Sequence, residues 1–135
     1  MIQFHYAYPG FKVSSATDIK SWLTRIARSE KKKIDRLEYI FTSDEELKAI
    51  NIRSLDHDYY TDILTFPYSY IPIEGEIYIS IDRIKDHAAK YKVRFDQELH
   101  RVMAHGLLHL CGYNDQTQVD KLGMTRLEDK YLCLL

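Results

Sequence analysis

A chain of 135 residues with 45% hydrophobic content and a formal net charge of −1 has room for one domain around one core, and none for a second. It contains no apolar run long enough to span a membrane, and its opening eight residues lack the basic start and apolar stretch of a signal peptide, so a cytoplasmic protein is expected. Cys111 and Cys133 sit in apolar sequence without a Cys-x-x-Cys partner, which predicts buried, reduced thiols.

In chain order, the patterning predicts a strand over 2–8, a helix over 14–29 and a strand over 36–42. Trp22 stands at helical spacing with Ile19 and Ile26, as a core residue does. Ser43 begins Ser-Asp-Glu-Glu, a capping-box pattern that opens a helix running to residue 53 or 55. Residues 56–60 read as a loop, followed by strands over 63–67 and 76–81, with Pro67 and Pro72 marking a connection at a sheet edge. Helices are predicted over 82–91, 96–111 and 117–134. Alternating strands and helices that end in three helices predict an α+β fold: a small mixed β-sheet with packed helices.

The segment His105 to Asp115 bears the chemistry. His105 and His109 are four residues apart on the predicted helix, so both imidazoles leave one face within reach of a single ion. Leu99, Val102, Met103, Leu107 and Leu110 form the apolar stripe beside them, and buried imidazoles without partners are costly to keep. Gly112 is placed to end the helix in a left-handed conformation, which lets Asp115 return toward the ion as a third ligand. Three protein ligands leave an open position, the mark of a catalytic rather than a structural zinc. The residue after His105 is Gly106, where a zincin peptidase has its glutamate base. Peptide hydrolysis is therefore disfavoured, and the missing side chain is expected to let a substrate backbone approach the metal.

These residues resemble the YbeY family of bacterial endoribonucleases. The family signature His-Gly-x-Leu-His-Leu-x-Gly-Tyr-Asp-His is followed from His105 through Tyr113, after which Asn114 and Asp115 replace its Asp-His ending. Thr61 to Phe66 is similar to the family's Thr-Asp-Val-Leu-Ser-Phe strand, and Gly75 to Ser80 to its Gly-Asp-Ile-x-Ile-Ser strand. Met124 and Glu128 fit its closing helix, so the likeness extends from about Leu47 to the C-terminus. The resemblance implies one zinc ion, or another divalent metal, held on a central helix by His105, His109 and Asp115. It also implies a single-strand-specific endoribonuclease that matures the 3′ end of 16S ribosomal RNA and takes part in ribosome biogenesis. The expected partners are RNA and the ribosome or its subunit, with neither DNA nor membrane.

An aspartate in the third position binds through oxygen at nearly the distance of a histidine nitrogen, but its charge makes the ion a weaker Lewis acid and shifts preference toward harder ions such as manganese. His57, His87 and His100 read as ordinary surface or loop histidines, each an alternative outside ligand. The basic residue that family members carry before the Thr-Asp strand falls by counting on Leu55, and Arg53 nearby reads as a solvated arginine. Glu98 and Asp62 are candidates for the general base by chemistry alone, and equally groups that orient a ligand imidazole.

Two segments concentrate positive charge. Residues 25–36 hold six basic side chains against Glu30 and Asp35, and residues 83–94 hold five against Asp86. Converging on one side, they would make a track for RNA. Tyr59, Tyr60, Tyr68, Tyr70 and Tyr113 fall in or near predicted loops, where rings can stack on unpaired bases. Two rival functions remain at this level: a non-catalytic ribosome-assembly or RNA-binding factor with a structural zinc, and a metal-dependent hydrolase of a small substrate.

Overall fold

The computed structural model describes residues 1–57 and 60–135. Its elements run β1 (Ile2–Tyr6), α1 (Ala16–Ser29), β2 (Ile34–Thr42), α2 (Asp44–Leu55), β3 (Ile63–Tyr70), β4 (Ile73–Ser80), α3 (Ile81–Tyr91), α4 (Phe95–Leu110) and α5 (Gln118–Leu132). The strands form one mixed sheet in the order β1-β2-β4-β3, parallel from β1 to β4 and antiparallel at the β3 edge. This is the α+β architecture expected.

Alternation along the strands decides which face is covered. Leu37, Tyr39 and Phe41 of β2 and Ile73, Ile77 and Ile79 of β4 are fully buried on one face, against α4 and its neighbours. Arg36, Glu38, Glu74 and Glu76 alternate with them and stay accessible. Helix α4 packs on β3 and β4 and touches α1, α3 and α5, which makes it the hub of the helical layer. Tyr39 donates its hydroxyl to the Met103 carbonyl of α4 at 2.8 Å, and burial holds its pKa well above the usual phenol value. Trp22 is 4% exposed and donates Nε1–H to the Tyr131 carbonyl at 2.8 Å, tying α1 to α5 as core.

Two glycines set how closely α4 can approach the sheet. A Cβ on Gly106 would stand 2.9 Å from Ile63 Cδ1 and 3.0 Å from Ile77 Cδ1. One on Gly75 would meet Leu110 Cδ1 at 3.0 Å. Gly106 therefore faces the core, and the expectation that it opens space for a substrate beside the metal is corrected: the missing side chain serves packing.

Strand β3 runs to Tyr70 and β4 begins at Ile73, so Tyr68 and Tyr70 belong to an edge hairpin and not to a loop. Apolar alternation fades at Pro67, where the register shifts, and backbone pairing alone continues the strand. Residues 58 and 59, the latter among the candidate stacking tyrosines, lie outside the described residues. Cys111 is buried as expected, and burial pushes its thiol up to about 12; Cys133 is exposed, contrary to expectation, because α5 ends at the surface. No described helix is long and apolar enough to cross a membrane.

Candidate metal centre

Helix α4 closes with a full Schellman motif: Gly112 N–H donates to the His109 carbonyl at 3.0 Å and Tyr113 N–H to that of Leu108 at 3.1 Å. The motif needs Gly112 at φ 107°, a value that side chains rarely adopt. The chain thus turns back over its own last turns. Tyr113 anchors the return by donating its hydroxyl to Glu30 Oε1 at 2.5 Å, and Glu30 Oε2 also accepts from Tyr131. That bond to Glu30 is the largest cause of a Tyr113 pKa pushed up to about 12.

The turn delivers Asp115 to the two histidines. His105 Nε2 and His109 Nε2 are 3.0 Å apart, and Asp115 Oδ2 lies 3.2 Å from the first and 3.3 Å from the second. A zinc ion at roughly 2.0–2.2 Å from three such atoms in tetrahedral geometry requires edges of about 3.3–3.6 Å. The observed edges lie at the lower end of that range and just below it, so a small outward shift of the rings would let the three atoms hold one ion.

Protonation gives a second, independent test. His109 Nδ1 is 2.9 Å from the Tyr113 carbonyl, which can only accept, so Nδ1 bears the proton. His105 Nδ1 is 2.7 Å from Glu128 Oε2 and donates to that carboxylate. In the neutral rings both Nε2 atoms are then bare lone pairs, facing each other and a carboxylate oxygen. Three acceptors at 3.0–3.3 Å repel one another unless a cation or an added proton sits among them.

Glu128 is 6% exposed and is held from its other oxygen by Arg101 Nη1 at 2.9 Å, while Arg101 Nη2 reaches Asp129 at 2.6 Å. This fixes the His105 ring in place, the support that a metal-ligating imidazole would need. For His105, burial opposes the charged ring. The hydrogen bond and charge of Glu128, with the charges of Asp115 and Asp62, outweigh it and raise the pKa. The three donor side chains are between 23% and 39% exposed, so the triangle opens to solvent on one side. Sequence reasoning assigned Glu128 to the closing helix without its role; its buried acid on an otherwise apolar face was the available signal.

The remaining expectations divide. Among the described residues, His57, His87 and His100 stay out of the triangle. His100 packs its ring against Trp22, and burial lowers its pKa. His87 is no ordinary surface histidine: it faces Asp62 and Glu98 at 3.8 Å each, so both candidate bases belong to one cluster with it. Arg53 is a solvated arginine, its side chain 65% exposed and 3.8 Å from Glu46.

The two basic segments do not converge as a whole. Arg28, Lys32 and Lys33 join Lys20 around a cavity of about 670 Å³ beside Met1, Ile2 and Ile34, at the N-terminal ends of β1 and β2. Lys85 instead lies over Tyr8, beyond the other end of β1, and Arg83 is paired with Asp44 and Asp86. The strand length between them keeps these groups apart. Tyr60 is likewise engaged, its hydroxyl donating to Glu45 at 2.6 Å and its ring under Lys48.

Residues 9–135 match the family model described as endoribonuclease YbeY. The chain belongs to the endoribonuclease YbeY family. A relative from Cytophaga hutchinsonii, named endoribonuclease YbeY, is 50% identical over 126 residues, covering 92% of this chain and 88% of the relative. One of the same name from Flavobacterium psychrophilum is 42% identical, covering 99% of this chain and 96% of its own. The solution structure of a Thermotoga maritima protein superposes with a TM-score of 0.69 at 27% identity, covering 97% of this chain and 86% of that one. The family is one of hydrolytic enzymes that cut RNA internally, which excludes the small-substrate hydrolase as the first reading.

Proposed function

We propose that the protein is a metal-dependent endoribonuclease for single-stranded RNA that acts in ribosomal RNA maturation, at the 3′ end of 16S RNA, in the cytoplasm and in association with the ribosome or its subunit. His105, His109 and Asp115 hold the ion, which we take to be zinc, with manganese the alternative that a carboxylate ligand favours. The observation that supports this most is the triangle of two Nε2 lone pairs and one carboxylate oxygen with edges of 3.0–3.3 Å, whose tautomers Tyr113 and Glu128 set.

When bound, a divalent ion supplies Lewis acidity to a phosphodiester. The protein groups prepare for it. Glu128, braced by Arg101, keeps the His105 lone pair aimed outward, and the Tyr113 carbonyl does the same for His109. Partial exposure of all three donors leaves a side from which an RNA backbone can enter. Lys20, Arg28, Lys32 and Lys33 give α1 and the turn after it a basic surface that suits a phosphate chain despite the net charge of −1.

The test is metal content of the purified protein together with cleavage of a single-stranded RNA, for wild type, His109→Ala and Asp115→Ala. Shared loss of metal and cleavage supports the reading. Stoichiometric metal with no cleavage by any form would favour the assembly factor with a structural zinc, and full cleavage by a metal-free variant would sink the mechanism.

A further inference from the structure

A second group of metal-ligating side chains stands outside the triangle. Asp62 immediately before β3, His87 on α3 and Glu98 in the first turn of α4 each bring one donor atom within 4.8 Å of the others. His87 Nδ1 is 3.8 Å from Asp62 Oδ2 and 3.8 Å from Glu98 Oε2. Both separations are too long for a hydrogen bond.

Glu98 is the informative member. Its side chain is 9% exposed, and its carboxylate accepts no hydrogen bond from any described residue. A buried carboxylate ordinarily collects N–H or O–H donors, because its charge is otherwise expensive to hold away from water. Burial raises the Glu98 pKa; His87 and Arg101 lower it, while the charges of Asp62 and Glu128 raise it again. Two carboxylates and an imidazole thus converge on one space, without the close contacts through which they could satisfy each other.

The spacing fits a cation better than a proton. An ion about 2.1–2.4 Å from each donor separates neighbouring donors by about 3–4 Å, whereas a shared proton draws heavy atoms to about 2.5–3.0 Å. Two carboxylate oxygens and one imidazole nitrogen suit a hard divalent ion that also accepts nitrogen, such as Mn²⁺.

We propose that Asp62, His87 and Glu98 form a second divalent-cation site, distinct from the His105, His109 and Asp115 triangle, that ties α3 and the start of β3 to the first turn of α4. The ion neutralises Glu98 and joins three elements that come together only in the fold. The proposal stands on these three residues alone, whatever the triangle does.

The test uses the full chain carrying His105→Ala and His109→Ala, which disables the triangle, titrated with Mn²⁺ by calorimetry and by electron paramagnetic resonance. One equivalent of Mn²⁺ is expected on this double variant, against two on wild type. Adding Glu98→Gln, nearly the same shape, is expected to weaken the remaining site at least tenfold, and adding His87→Ala at a partly exposed position is expected to do the same. Thermal melts in chelator show that each variant is folded before it is titrated. A folded double variant that takes up no Mn²⁺ to about 1 mM, on the scale of weak binding, overturns the proposal; so does uptake unchanged by Glu98→Gln. Failure of the triangle reads out separately, as RNA cleavage that survives in the double variant.

Discussion

The two faces of α4 follow different rules. On the sheet side, Leu99, Met103, Gly106, Leu107 and Leu110 are at most 2% exposed or are fitted to within contact distance of Ile63, Ile77 and Gly75, so volume alone decides what is tolerated. On the other side, His105 and His109 are partly exposed and sit among polar partners, where lone pairs and charge decide. One helix thus serves as a packing element and as a template for a site. The difference teaches that glycine in His105-Gly106 belongs to the first role, although it stands between residues of the second.

The sharpest break of this comparison is His109→Ala. It is expected to abolish both metal binding and RNA cleavage while leaving the melting temperature in chelator near that of wild type, as measured by metal analysis, a cleavage assay and a thermal melt. The converse change is Gly106→Ala. Its methyl group meets Ile63 and Ile77 at 2.9–3.0 Å, so a loss of about 1–3 kcal/mol in a denaturant titration is expected, with metal stoichiometry retained in the folded fraction. A loss of metal with no loss of stability would reverse the roles assigned to the two faces.

A smaller effect is expected from Glu128→Gln, which keeps an acceptor for His105 Nδ1 but removes its charge. Metal affinity should fall by about tenfold, the low end for residues that orient a ligand, and competition with a chromophoric chelator measures it. No change would mean that Arg101 and the helix backbone suffice to hold the imidazole.

The smallest effect concerns pH. Burial opposes the charged His105 ring, but the hydrogen bond and charge of Glu128, with the charges of Asp115 and Asp62, outweigh it and hold the pKa above the ordinary imidazole value. In the metal-free protein, protonated His105 therefore contributes stability that is fully present below the unfolded value of about 6.5 and is lost as pH rises through the raised folded value. Metal has the opposite sign, since it needs the Nε2 lone pair. Melting temperature against pH should accordingly fall through that window in chelator and rise through it with Zn²⁺. Parallel curves would remove His105 from the ligand set.

Much of the site was legible because its parts are local. The i, i+4 histidines and the glycine that reverses the chain lie within eleven residues, and each has a sequence signal in helical period or turn chemistry. The mixed sheet and the helix order were legible for the same reason, from alternation and caps. Missed were groups that meet from distant segments. Glu128 reaches His105 across 23 residues, and His87 meets Asp62 and Glu98 from three separate elements, with no pattern in any one of them to announce it. The extent of β3 also escaped, because past Pro67 its pairing rests on backbone bonds to β4 rather than on side-chain alternation.

By itself, then, the sequence determined the fold class, the metal-ligand candidates and the family, since these rest on short-range period and on motif. Tertiary structure alone decided that Gly106 is a packing residue, which tautomers His105 and His109 hold, that the basic segments part company, and that Glu98 is buried beside His87. Each of those depends on what lies across the gap between two elements, and burial, hydrogen-bond partners and charge proximity exist only once the chain has closed that gap.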